Sequence, residues 1–135
     1  MIHFDTAFLI DLEREWALEK PSAAFEFLEG LDDNKTVAVS VFGVAELRLG
    51  AELSRNPDKK HQEIDDLLAG WVVVYPGDSF ASRYAREAAA LRRSGDAVNT
   101  MDLLIAVAAL LDNAPIVTRN VKDFSRVPGL RVLSY

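Results

Sequence analysis

TMDLLIAVAALLDNAPIVTRNVKDF, from Thr100 to Phe124, is the stretch that decides the fold. Asp102 stands directly before nine consecutive apolar residues, Leu103 to Leu111. A helix of that composition is hydrophobic all round and belongs in an interior. Asn113-Ala114-Pro115 ends it, since proline can neither continue a helix nor leave its predecessor free to. Ile116-Val117-Thr118 follows as a short β-branched strand, and Val121 to Arg126 as a helical turn. The segment therefore reads as a buried helix feeding a strand, with an acid at its start and a polar knot, Thr118 to Asp123, at its end.

The same alternation extends outward in both directions. MIHFD is a first strand, and TAFLIDLERE a helix with Phe8, Leu9 and Leu12 on one side. Pro21-Ser22 breaks the chain before the helix AAFEFLEGL, and Asp32 to Lys35 make a turn. TVAVSV is a second strand, after which Ser40 caps the helix FGVAELRLGAEL. Asn56-Pro57-Asp58 is a break before the amphipathic KKHQEIDDLLAG. WVVVYP is a third strand that, like TVAVSV, looks buried on both faces. Asp78 or Ser79 caps a helix reaching about Arg93, Ser94-Gly95-Asp96 is a loop, and Thr100 caps the helix of the opening segment. LRVLSY is the last strand. Strands alternating with helices predict an α/β domain with a mostly parallel sheet of about five strands flanked by helices.

At 135 residues the chain fits one domain spanning 1–135, and 50% hydrophobic composition excludes a disordered protein. The absence of cysteine excludes disulfides and thiolate metal sites. The start, MIHFD, reaches an acid at residue five, and the longest apolar run is nine residues, so neither a secretory signal nor a membrane span is expected. A cytoplasmic protein is the expectation. The net charge of −6 excludes a generic nucleic-acid coat. Its distribution is uneven: residues 1–70 carry 7 basic and 15 acidic side chains, residues 71–135 carry 8 basic and 6 acidic. A local basic surface in the second half, including Arg92 and Arg93, is compatible with phosphate contacts or with ordinary solvated helix faces.

Ligands in open α/β sheets bind beyond the carboxyl ends of the strands. Asp5 ends the first strand, Glu46 lies within two turns of the start of the next helix, Asp102 is in the first turn of its helix, and Asn120 and Asp123 follow IVT. A parallel sheet brings all of them to one edge. Singly, each has a plainer role: Asp5 as a helix cap, Glu46 as a solvated acid, Asp102 as a dipole partner, Asn120 and Asp123 as turn formers. Asp11 reads as a surface acid within reach of the site, Asp96 and Asp112 as loop and helix-end residues. Clustered carboxylates repel, and the cluster persists where protons, a basic partner or a cation offset the charge. Oxygen-only ligands suit Mg²⁺ or Mn²⁺, and His3 and His61 have no zinc-binding spacing.

Four stretches, FDTAFLIDL, VSVFGVAELRLGA, MDLLIAVAAL and IVTRNVKDFSRVPGLRV, resemble in order and spacing the PIN-domain ribonucleases, specifically the VapC toxins of type II toxin–antitoxin systems. The resemblance covers essentially the whole chain. It implies a PIN-like fold and a Mg²⁺- or Mn²⁺-dependent endoribonuclease whose first three acids are Asp5, Glu46 and Asp102. At the fourth position stands Asn120, with Asp123 three residues on, so the fourth ligand is either. Thr6 and Thr118 match hydroxyl residues beside the acids. The resemblance further implies structured RNA such as tRNA or rRNA as substrate, a homodimer, and a VapB-type antitoxin as inhibitor in a hetero-oligomer. Such an antitoxin would cover apolar surface on the first two helices, where Trp16 and Phe25 are either surface or core. Arg119, Lys122 and Arg126 flank the last acidic element as RNA-backbone contacts, and Asp102 or Asp123 is the proton acceptor. Two other readings stand beside this one. A non-catalytic PIN-like binding module rests on Asn120. A phosphorylated receiver domain needs an acid ending its third strand, and WVVVYP has none.

Overall fold

The computed structural model describes residues 1–135. Its elements are β1 (Ile2–Phe4), α1 (Thr6–Ala17), α2 (Ala23–Glu29), β2 (Val37–Ser40), α3 (Val41–Glu52), α4 (Pro57–Leu67), β3 (Val72–Val74), α5 (Phe80–Ser94), α6 (Thr100–Leu111), β4 (Ile116–Val117), α7 (Val121–Phe124) and β5 (Val132–Leu133). The five strands form one sheet in the order β3-β2-β1-β4-β5, and every pairing is parallel. The register sets His3 opposite both Ala38 and Ile116.

Side chains alternate across a strand, so β1 sends Ile2 and Phe4 to one face of the sheet and His3 to the other. On the first face they join Phe8, Leu9, Val39, Leu47 and Ile64 in one core. On the second, Leu103 to Ala109 of α6 pack with Ile116, Phe124 and Phe80 in another. The apolar run read from the sequence is thus one wall of the second core, and Ile105 to Val107 and Ala109 have at most 1% of their surface exposed.

Three boundaries differ from the sequence reading. WVVVYP forms β3, but β3 is the sheet's edge: Val72 is exposed and Val73 and Val74 are only half-buried. Its four apolar residues suit an edge as well as a centre, because strand order is fixed by distant pairings. Asn99, not Thr100, caps α6, accepting from the N–H groups of Met101 and Asp102. Asn56 caps α4, so Pro57 is a first helical residue rather than part of a break, where its missing N–H costs nothing. Ser40 caps α3 as its position predicts, accepting from Gly43 N–H at 3.2 Å.

Candidate active site

The parallel sheet delivers the acids to one edge. Asp5 leaves β1 and caps α1, its Oδ1 accepting from the N–H groups of Ala7 at 2.6 Å and Phe8 at 3.2 Å. Its Oδ2 accepts from the hydroxyl of Thr118 at 2.5 Å, across the β1–β4 pair. Capping and site membership are therefore one role at this residue. Thr118 is fully buried, and its oxygen accepts from Asn120 N–H at 2.9 Å.

Glu46 reaches the same edge from α3. The hydroxyl of Thr6, the first residue of α1, donates to its Oε1 at 2.6 Å. Gly43 permits this approach: a Cβ there would meet the Val39 side chain at 3.1 Å and Thr6 Oγ1 at 3.5 Å. Asp123 lies in α7, accepting from the Asn120 side-chain amide at 3.0 Å and standing 3.5 Å from Arg126 Nη1. Asn120, on which the non-catalytic reading rests, thus has the Asp123 carboxylate alongside it.

Electrostatics ties the four acids together. Asp102 is half-buried, and burial together with the charges of Asp5, Glu46 and Asp123 pushes its carboxyl up to about 6. All of these influences act in one direction, so no basic side chain neutralises it. Burial also raises Asp5, with the Glu46 charge adding, against the hydrogen bonds from Thr118, Phe8 and Ala7. No three His, Cys, Asp or Glu side chains stand close enough together to hold a metal ion as they are placed. The separated geometry is the one that repulsion among unneutralised carboxylates favours. The donors gathered here are all oxygens, held by hydroxyls and backbone amides, and that chemistry suits a hard divalent ion.

The expected RNA contacts fare unequally. Lys122 is exposed and free of ion pairs. Arg126 is divided between Asp123 and the carbonyl of Ala97, 3.4 Å away. Arg119 is bound to Asp11: its Nη1 donates to both carboxylate oxygens, at 2.8 and 2.9 Å. Asp11, read as a surface acid, also accepts from the hydroxyl of Tyr135 at 2.6 Å. Burial and this acceptor keep the Tyr135 hydroxyl above its ordinary value, so it remains a donor. Neither Tyr135, Gly43 nor Asn99 was singled out in the sequence. Only Asn99 carried a local signal, as a capping residue type beside another. Trp16 and Phe25 resolve as surface: 60% and 42% of their areas are exposed.

Comparison with known proteins identifies the family and the fold. The family model for the PIN domain matches residues 2–130. The chain is similar to Ribonuclease VapC2 of Rickettsia felis, 31% identical over 116 residues that make up 85% of this chain and 87% of that one. This chain belongs to the PIN-domain family of VapC ribonucleases. Among solved structures, this VapC-family chain superposes on a chain of the Rickettsia felis VapBC2 complex bound to a fragment of its promoter DNA. The TM-score is 0.90 at 27% identity, covering 100% of this chain and 99% of that one. VapBC-1 of nontypeable Haemophilus influenzae gives a TM-score of 0.87 at 31% identity, covering 99% and 98%. A further relative, at 28% identity over 71% of this chain and 73% of its own, is the tRNA(fMet)-specific endonuclease VapC of Salmonella typhimurium. No helix of this VapC-family chain is long and apolar enough to cross a membrane.

Proposed function

We propose that this chain, acting as one PIN domain over residues 1–135, is the ribonuclease toxin of a toxin–antitoxin pair. In this reading it hydrolyses RNA phosphodiester bonds with Mg²⁺ or Mn²⁺ held among Asp5, Glu46, Asp102 and Asp123, with Asn120 beside them. The observation that carries the reading is the gathering of four carboxylates at one edge, where burial and the charges of Asp5, Glu46 and Asp123 raise the Asp102 carboxyl to about 6. Such a pocket repels phosphate unless a cation occupies it. A divalent ion bound there neutralises the pocket, polarises the phosphoryl group and lowers the pKa of a water.

The chain's own residues do the rest. Thr118 and Thr6 each hold one oxygen of Asp5 and Glu46, which fixes the direction of the others. Asp102, which opens α6 at the same edge, is placed to take the proton of an attacking water. The water oxygen bonds to phosphorus, the bond from phosphorus to the 3′ oxygen breaks, and that oxygen leaves with a proton. The products are a 5′-phosphate and a 3′-hydroxyl, and the ribose 2′-hydroxyl takes no part. Lys122 and Arg126 border this edge and suit the RNA backbone. The Salmonella relative's specificity makes tRNA the first substrate class to try.

The partner reading follows from the surface. Leu12, Trp16, Phe25, Leu28, Leu67 and Trp71 line a groove of about 510 Å³ with Glu15 and Glu19 on its rim. An antitoxin segment with an apolar face and basic flanks fits this groove, in line with the VapBC complexes among the structural relatives. A lysine or arginine from that segment would neutralise the acids as the cation does. The toxin is read as a homodimer within that hetero-oligomer.

Incubating the antitoxin-free protein with total RNA, with Mg²⁺ or Mn²⁺ and with EDTA, beside Asp102→Asn, tests the function. Discrete cuts that require the ion and vanish in the variant are expected. Cutting that survives EDTA or the substitution would refute the metal site.

A further inference from the structure

Three side chains from separate elements meet beside the acid edge: Asp11 from the middle of α1, Arg119 from the turn between β4 and α7, and Tyr135 from beyond β5. Arg119 Nη1 donates to both oxygens of Asp11, and the Tyr135 hydroxyl donates to Oδ2. The Tyr135 ring stands edge-on against the fully buried Phe8, with centroids 4.7 Å apart and planes at 76°. Asp11 is shielded, with 18% of its side chain exposed, whereas Arg119 keeps 54%. The acid is the anchor, and the guanidinium is what it holds up to solvent.

The contact is not needed to fix the backbone. Thr118 is already tied to Asp5, and Asn120 to both Thr118 and Asp123. What Asp11 holds is side chains: the Arg119 guanidinium, the Tyr135 hydroxyl and, more loosely at 3.8 Å, the exposed Arg14. Only Nη1 is engaged, which leaves Nε and Nη2 without a protein partner. Two free donors on a planar, preset group match two oxygens of a phosphate, and a preset arginine loses less freedom on binding than a loose one.

We infer that Asp11 and Tyr135 are positioning residues that hold Arg119 ready for a phosphate of the RNA strand next to the acid site. The inference rests on the nuclease reading for its ligand. A competing effect has the opposite sign: if the Asp11 charge merely occupied Arg119, removing it would tighten RNA binding.

The test is binding of fluorescein-labelled bulk tRNA by anisotropy, in an Asp102→Asn background that does not cut. Asp11→Asn and Arg119→Ala each weaken binding by about five-fold, and together by no more than Arg119→Ala alone. Arg119→Lys does not restore it, because one ammonium nitrogen cannot present the paired, rigidly spaced donors that Nε and Nη2 offer a phosphate. Tyr135→Phe, which removes only a hydroxyl, weakens binding by about two-fold and carries the test if Asp11→Asn folds poorly. In cleavage by protein that retains Asp102, the loss falls on KM rather than kcat. Equal or tighter binding by Asp11→Asn, additive losses in the pair, or no tRNA binding by the parent would overturn the inference. If the binding pattern holds while protein with Asp102 intact cuts no RNA, the nuclease reading fails and the arginine latch stands.

Discussion

β1 and α6 share two ionisable groupings, one at each end of the helix. Where β1 runs out, Asp5 faces the first turn of α6, and the charges of Asp5, Glu46 and Asp123 raise Asp102 to about 6. One strand residue and one helix away, His3 meets Asp112 at the far end of α6, Nε2 to Oδ2 at 2.6 Å. There an acid faces a base. Burial lowers His3 more than the Asp112 contact raises it, so the ring is neutral near pH 7 and donates through Nε2. Its Nδ1 is buried without a partner. The same two elements thus carry a pair that ties strand to helix and a cluster that pushes itself apart. An arrangement of like charges that costs stability persists where it serves a ligand.

The contrast breaks most sharply at the acid end. Asp5→Asn or Asp102→Asn should lower RNA cleavage by two orders of magnitude or more, about what losing a principal electrostatic contact costs. Residual activity within tenfold of the parent, measured on the same RNA, would dissolve the distinction between the two ends. Thr118→Val comes next. It strips a buried hydroxyl bond from Asp5 and an acceptor from Asn120, and it should slow cleavage about tenfold and cost about 2 kcal/mol in urea unfolding. At the other end, His3→Ala should cost a similar 2 kcal/mol by losing the Asp112 bond and core volume, while the folded fraction cuts RNA at the parent's rate. A loss of kcat in that variant would mean that the far end also serves the chemistry.

The smallest effect is a pH profile without divalent ions. Asp102 is raised in the fold, from 3.8 to about 6, so the folded chain holds that proton more tightly than the unfolded one. Its contribution therefore favours folding below about 4, fades as pH rises, and is a full deficit above about 6. Melting temperatures at pH 5 and pH 8 should show Asp102→Asn gaining on the parent at both, and about twice as much at the higher pH. A uniform gain, or none, would put the strain elsewhere.

The sequence exposes some of this and hides the rest for physical reasons. The convergence of Asp5, Glu46, Asp102 and Asp123 was legible because each follows a strand or lies in the first two turns of a helix, and a parallel sheet collects such positions at one edge. The buried α6 was legible from its unbroken apolar run. The edge position of β3 was not, because Val72 to Val74 have the same composition as a central strand. The pairing of His3 with Asp112 joins residues 109 positions apart, and Arg119 with Asp11 joins residues 108 apart. Neither leaves a local pattern, so Asp112 read as a helix end and Arg119 as an RNA-backbone contact with no protein partner named.

The most direct test of the central claim is a melting curve at pH 7.5 with and without Mn²⁺, for the parent and for Asp102→Asn. A cluster that awaits a cation predicts that Mn²⁺ raises the parent's melting temperature and closes its gap to the variant, which itself responds far less. No response to Mn²⁺ in the parent, or the same response in both proteins, would contradict it.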